Sequence, residues 1–311
     1  MMIQCTSIEK CYALSIKSIL HNCLEQLGIP FHIPEFNHKF YEACCAGAIS
    51  RGFALDGPVT IKPYIPLGVY MATTSYADLE NTETRIFIAL YTAALVAVED
   101  VCGDEFELLR AFCHKFVIGQ PHGHPILDCF DFFLRELPVH YELVVSDMML
   151  HSSLDFIVAN VLEYEMRTTE LSPSARSFPI FLRNLSGASK IYSLMAFPRE
   201  VPLRSYFQTI PAMMTYVNYL NDIFSFYKEE LVEETTNCIS NMARCGKKSR
   251  LQVLQELCED SVDAHREILA VLARSPVAMK MYKGFAKGYV YFHTSCPRYK
   301  LSHLFSPVDR K

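Results

Sequence analysis

Apolar residues recur along this chain at the three-to-four-residue spacing of helices. The segment 82–99 shows it best: Phe87, Leu90, Ala94 and Ala97 make one side, while Ile86, Ala89, Ala93 and Val96 fill most of another. Such a segment predicts a helix buried nearly all round, with Gly103 placed to break it. Ser7-Ile8-Glu9-Lys10 offers a cap for a helix over 8–27, ended by Gly28 and Pro30. Pro34 precedes a second helix over 35–51, ended by Gly52, and 67–79 reads as a short one. The pattern then predicts helices over 106–117, 126–136, 139–168, 177–196, 203–230, 248–273 and 276–293. Sustained period-two alternation and Asn-Gly or Asp-Gly turns are missing, so strands are not expected. Without repeats or a long linker, residues 1–311 read as one all-α domain of ten or so helices.

Within 203–230 the apolar run 213–220 leads without Pro or Gly into Asn221-Asp222-Ile223-Phe224-Ser225-Phe226-Tyr227-Lys228-Glu229-Glu230. Asn221, Ser225 and Glu229 are four apart, so on a helix their oxygens lie within roughly 80° of one another. An amide, a hydroxyl and a carboxylate are hard oxygen ligands of the kind that suits Mg²⁺. Lys228 beside them could hold an anion that bridges to the metal. A solvated polar stripe is the plainer reading, but Ile223, Phe224, Phe226 and Tyr227 around the row favour burial, and buried polar groups need partners.

Composition narrows the classes. A formal charge of −5 with no Lys/Arg block argues against nucleic acid or an anionic membrane surface as partner. Half of the residues are hydrophobic, but the longest apolar run, 87–98, is too short to span a membrane. Twelve cysteines without Cys-x-x-Cys pairs, behind a start that lacks a signal-type apolar core, predict reduced thiols in the cytoplasm. Thirty-eight Phe and Tyr predict an aromatic-rich core or pocket, with Phe87, Tyr91, Phe156 and Tyr192 as candidate wall residues.

Asp100 and Asp104 close the 82–99 helix, with Glu99 and Glu105 beside them. Carboxylates at a helix C-terminus oppose its dipole. A divalent cation would account for them; a solvated helix end is the alternative. Phe181-Leu182-Arg183-Asn184-Leu185-Ser186-Gly187, later Pro198-Arg199-Glu200, and Pro297-Arg298-Tyr299-Lys300-Leu301 supply placed basic groups. His122-Gly123-His124 with Cys113 and His114 fits no standard zinc spacing.

Together these segments, over about 80–305, resemble the class I terpene cyclases, and the Ser225–Glu229 stretch resembles the fungal trichodiene synthase family in particular. The resemblance implies a class I helical bundle that ionises farnesyl diphosphate, or geranyl diphosphate, and cyclises the carbocation. It implies three Mg²⁺ ions held by Asn221, Ser225 and Glu229 on one side and by Asp100 and Asp104 on the other. Val101 stands where the family's aspartate motif has its second Asp, which leaves Asp100 as the main ligand there, with Glu99 as an outer partner. Arg183, Lys228, Arg298 and Tyr299 are then the diphosphate-binding groups. Gly187, Ala188 and Ser189 match a helix break that lets backbone approach the carbocation. Family members are often homodimers. The same features leave open a chain-elongating prenyltransferase, which normally carries two Asp-rich motifs, and a non-catalytic helical prenyl-binding protein.

Overall fold

The computed structural model describes residues 7–101, 103 and 105–305, and every regular element among them is helical. The α-helices are α1 (Ser7–Leu27), α2 (His38–Ser50), α3 (Ile65–Thr74), α4 (Thr82–Val101), α5 (Phe106–Arg110), α6 (Phe112–Ile118) and α7 (Pro125–His140). They continue as α8 (Leu143–Met166), α9 (Phe178–Ser186), α10 (Ser189–Met195), α11 (Ile210–Glu230), α12 (Cys238–Gly246), α13 (Arg250–Leu272) and α14 (Pro276–Ser295). Short 3₁₀ turns lie at Lys62–Tyr64, Leu203–Ser205, Phe207–Thr209, Pro297–Tyr299 and Leu301–His303. No helix among the described residues is long and apolar enough to cross a membrane.

The central pieces are the ones the apolar pattern marked most strongly. In α4 every residue from Ile86 to Val98 is buried, because α3 packs along one side of it and α7 along another. Gly68 lets α3 come this close: a β-carbon there would sit 1.9 Å from the Ala89 carbonyl oxygen. The equivalent support for α11 comes from α13, α10 and α14. Pro211 begins α11 at a position where its missing N–H is no loss. A reciprocal Ser249–Gln252 capping box starts α13.

Several predicted boundaries are corrected. The segment 106–117 is two helices that turn at Ala111, and 177–196 is two that turn at Gly187–Ala188. The stretch 203–209 forms 3₁₀ turns ahead of α11. Pro138 does not end α7 at 136; it falls in the last turn, where little laddering remains to break, and Arg199 takes its carbonyl. The helix α12 was missed because Asn, Ser, Arg and Gly dilute its apolar period; its signal is Asn237, whose side chain accepts from Ser240 N–H at 2.8 Å.

One ion-paired knot ties α2, α4 and α7 together. Arg51 donates to Glu136 at 2.6 Å, His140 Nε2 meets the same carboxylate at 3.3 Å, and Thr84 Oγ1 lies 3.2 Å from His140 Nδ1. Burial pushes the Glu136 carboxyl up, but the bonds from His140 and Arg51 outweigh it and hold the pKa below the ordinary glutamate value. Glu136→Gln should therefore cost about 3 kcal/mol at neutral pH, since it strands the Arg51 charge. A carboxyl depressed in the folded state stabilises above its unfolded pKa, about 4.3, and that contribution fades as pH falls through the folded value. Urea unfolding of both proteins should thus show a gap at pH 7 that narrows on acidification. A gap independent of pH would mean that packing, not the ion pair, carries the effect.

Candidate active site

Asn221, Ser225 and Glu229 all project from α11 into one cavity of about 360 Å³, within the roughly 300–1,000 Å³ of small-molecule sites. Arg183 of α9, Lys228, Arg298 and Tyr299 reach the same space. A second compartment of about 450 Å³ adjoins it and shares Glu99, Arg183, Ser186, Asn221, Glu229 and Glu234. The character of the wall changes along α4, from Thr92, Leu95 and Val96 to Glu99 within two turns. Leu67, Met71, Tyr192, Tyr289 and Phe292 continue the less polar part.

The charged end is built around a buried ion pair. Arg183 Nε meets the Asp222 carboxylate at 2.9 Å, and its Nη2 donates to Asn221 Oδ1 at 2.9 Å and to the Asn218 carbonyl at 3.2 Å. Burial opposes the Arg183 charge, but Asp222 beside it prevails and keeps the guanidinium protonated. Burial likewise pushes the Asp222 carboxyl up, to about 6, against the pull of Arg183. Arg183 is thus not the exposed surface arginine that a lone basic residue usually is. The other side of Asn221 is bonded too: its Nδ2 donates to His293 Nε2 at 3.2 Å and to Tyr299 Oη at 3.3 Å. Burial, with Lys228 and Arg183 nearby, brings the His293 pKa down to about 3 despite its bond to the Tyr289 carbonyl. The geometry gives the same picture: Nε2 faces the Asn221 NH₂, which can only donate, so this nitrogen accepts.

Toward the end of the row, Ser225 Oγ donates to the Asp222 carbonyl at 3.3 Å, and Lys228 Nζ lies 3.4 Å from Glu229. Lys228 also stands over the Tyr299 ring, 5.9 Å from its centroid.

On α4 the structure brings Glu99, rather than Asp100, to the cavity wall. Asp100 is exposed and accepts a 2.8 Å hydrogen bond from Tyr64 Oη. Glu99 is exposed as well, through the cavity onto which it opens, but the protein around it thins its hydration and lifts its carboxyl to about 7, with Glu163 and Asp100 adding to the rise and Arg298 and Lys228 restraining it. Asp104 lies outside the described residues, as does the side chain of Val101.

The aromatic expectations divide. Tyr192 and Phe156 line the two compartments. Phe87 and Tyr91 belong to the packed core instead: Phe87 stacks on His140 at 4.3 Å, and the Tyr91 hydroxyl pairs with Ser153 at 2.8 Å. Sequence reasoning missed Asp222, Tyr289, Phe292 and His293. Only Asp222, adjacent to Asn221, carried a readable signal. His122 is likewise occupied, stacked on Phe112 and bonded to Asp131 at 2.8 Å.

At the α9–α10 break, Gly187 lets Asn218 pack against the backbone, since a β-carbon would meet Asn218 Oδ1 at 1.9 Å. Gly187→Ala must push α9 and α11 apart, at a cost of about 1–3 kcal/mol. It should also weaken the Arg183–Asp222 bonds, so both the urea midpoint and turnover should drop. An unchanged midpoint would show that the contact relaxes freely.

The donor set fits Mg²⁺. Among the described residues no three His, Cys, Asp or Glu side chains form a ready-made cage. Mg²⁺ seldom uses one: it is usually bound through one or two carboxylates, with waters and substrate phosphates completing the octahedron. A carboxylate, an amide oxygen and a hydroxyl on one helix face supply that partial set.

Residues 58–311 match the family model described as trichodiene synthase. The chain belongs to the trichodiene synthase family. This family member is 34% identical to the α-cuprenene synthase COP6 of Coprinopsis cinerea, over 94% of this chain and 91% of that one. It is 30% identical to monoterpene synthase 25 of Postia placenta, over 78% and 74% of the two chains. A linalool/nerolidol synthase from Streptomyces clavuligerus shares the fold at 12% identity, with a TM-score of 0.61 over 85% of this chain and 98% of that one. Like its relatives, this trichodiene synthase family member is a terpene synthase, an all-α carbon–oxygen lyase acting on diphosphates.

Proposed function

We propose that the protein is a Mg²⁺-dependent sesquiterpene cyclase that ionises farnesyl diphosphate and closes the resulting carbocation into a ring. One observation carries the reading: α11 presents Asn221, Ser225 and Glu229 to the same cavity that receives Arg183, Lys228, Arg298 and Tyr299. Oxygen ligands for a metal and donors for a diphosphate thus converge where a less polar chamber begins.

Asn221 Oδ1, Ser225 Oγ and the Glu229 carboxylate would hold the metal, with Glu99 facing them from α4; the family resemblance implies three ions. Bound Mg²⁺ supplies positive charge that stabilises the leaving diphosphate. The Arg183 and Arg298 guanidinium forks match phosphate oxygens, Lys228 adds a point charge and Tyr299 a hydroxyl donor. As the allylic C–O bond breaks, both electrons leave with the diphosphate oxygen, which these groups receive. The isoprenoid chain is left among Leu95, Val96, Tyr192, Tyr289 and Phe292. Aromatic faces stabilise the cation without capturing it. The C-terminal end of α9 at the break adds partial negative charge from its last carbonyls. No side chain is assigned as general base; the released diphosphate can take the final proton. Twelve cysteines suit a reducing cytoplasm.

Farnesyl diphosphate is the substrate the family resemblance favours, while the relative named a monoterpene synthase makes geranyl diphosphate the substrate to compare. The test is gas chromatography–mass spectrometry of the volatile products of purified protein with each diphosphate, with and without Mg²⁺. A Mg²⁺-dependent cyclic C15 product is expected. Inertness toward every allylic diphosphate would point to a prenyl-binding protein, and consumption of isopentenyl diphosphate to chain elongation; either would overturn the reading.

A further inference from the structure

His293 is buried, lies on α14, and belongs to none of the motifs that mark the site. Its Nδ1 is 2.8 Å from the Tyr289 carbonyl oxygen. A carbonyl can only accept, so the proton of the neutral ring sits on Nδ1, and Nε2 presents a lone pair. That lone pair faces Asn221 Nδ2 at 3.2 Å. On the opposite side, Arg183 Nη2 is a pure donor and faces Asn221 Oδ1 at 2.9 Å. Rotating the amide by 180° would set acceptor against acceptor at His293 and donor against donor at Arg183. Two groups therefore fix the same orientation of one amide.

They are not equivalent once a diphosphate is present. Arg183 lines the cavity and is one of the cations placed to bind the leaving group. A guanidinium that turned Nη2 toward phosphate oxygens would give up some of its hold on Oδ1. Tyr299 Oη, 3.3 Å from Nδ2, can donate or accept, so it does not discriminate between the two amide orientations. His293 does.

We propose that His293 is a positioning residue for the metal site: its Nε2 lone pair holds the Asn221 amide nitrogen, so that Oδ1 stays available as an oxygen ligand when Arg183 turns to the diphosphate. This rests on the reading of Asn221 as a ligand. The arrangement resembles outer-sphere hydrogen bonding in other metal sites, where loss of such a partner costs roughly 10–100-fold in metal affinity or activity.

Two substitutions separate positioning from packing. His293→Gln can bring an amide oxygen to about the place of Nε2; His293→Asn, one methylene shorter, retains a polar group but does not reach Asn221. Asn221→Ala is the reference. For each, the rise in melting temperature on adding Mg²⁺ with inorganic pyrophosphate reports binding without turnover, and the Mg²⁺ dependence of turnover gives an apparent constant. Circular dichroism without ligand checks the fold. The expected result is a Mg²⁺ requirement raised about tenfold or more in His293→Asn, brought back to within a few-fold of wild type in His293→Gln, and a matching loss and recovery of the melting shift. Equal effects in the two His293 variants, or no effect in either while Asn221→Ala abolishes the shift, would overturn the positioning role. Wild-type behaviour of Asn221→Ala would instead overturn the ligand reading on which it rests.

Discussion

Glu229→Ala should lower turnover about 10³-fold or more at saturating Mg²⁺ and leave the protein at least as stable as wild type. The activity loss follows from removing the only carboxylate of the α11 row: metal stabilisation of a leaving group is worth several kcal/mol, and each ~1.4 kcal/mol is tenfold in rate. The stability claim follows from what surrounds the side chain. Its ion pair with Lys228 is 3.4 Å long and partly open to solvent, an arrangement worth about 0–1 kcal/mol. Against that, Glu229 repels Asp222, Glu230 and Glu234 and helps to raise all three carboxyls. Its removal relieves a local excess of negative charge. Asn221→Ala should be as inactive but less stable by about 1–3 kcal/mol, because His293 Nε2 then loses its donor inside the protein. Single-turnover kinetics and urea unfolding test both halves. Turnover near the wild-type rate in either variant would remove the row from the metal site.

Arg183→Met should combine a comparable loss of activity with a loss of stability of about 3–5 kcal/mol. The guanidinium and Asp222 form a largely buried pair, with side chains 15% and 10% exposed. Breaking such a pair from one side leaves the other charge uncompensated, whereas replacing both by apolar groups is often neutral. Without Arg183 the Asp222 carboxyl, already raised by burial, should rise further and take up a proton near neutral pH. Arg183→Met/Asp222→Leu should therefore recover much of the stability lost in the single variant, yet none of the turnover. If the double variant regains activity, Arg183 acts by holding α9 to α11 and not by binding substrate.

What the sequence made legible was whatever depends on one helix at a time. The α4 period, the α11 row and the Arg-Tyr turn at Pro297–Tyr299 can be read locally, because spacing along a helix fixes which residues share a face. What remained hidden depends on how one helix is turned against another. Glu99 and Asp100 differ by a single step of about 100°; which of them meets the cavity is decided by the orientation of α4 and by Tyr64, 36 residues earlier, which takes Asp100. Phe87 and Tyr91 share a stripe with each other, but that stripe faces Phe133, Phe130 and Ser153 and not the chamber. His293 could not be read at all. Its role comes from Asn221, 72 residues away, and a buried histidine near a chain end carries no pattern of its own.

The break between α9 and α10 limits how the chamber could be re-engineered. Ala188 lines it in a left-handed conformation, with φ 47° and ψ 17°. Side chains branched at Cβ are strongly disfavoured there, and Gly, Asn and Asp are the tolerated alternatives. Backbone geometry thus closes this point of the wall to side chains branched at Cβ, whatever a different product would require. Variation in ring-closure outcome should instead accumulate at ordinary helical positions on the same wall, with Leu95, Val96 and Tyr192 the first places to look. A library at position 188 should lose its β-branched members to backbone strain, whereas one at Leu95 or Tyr192 carries no such bar.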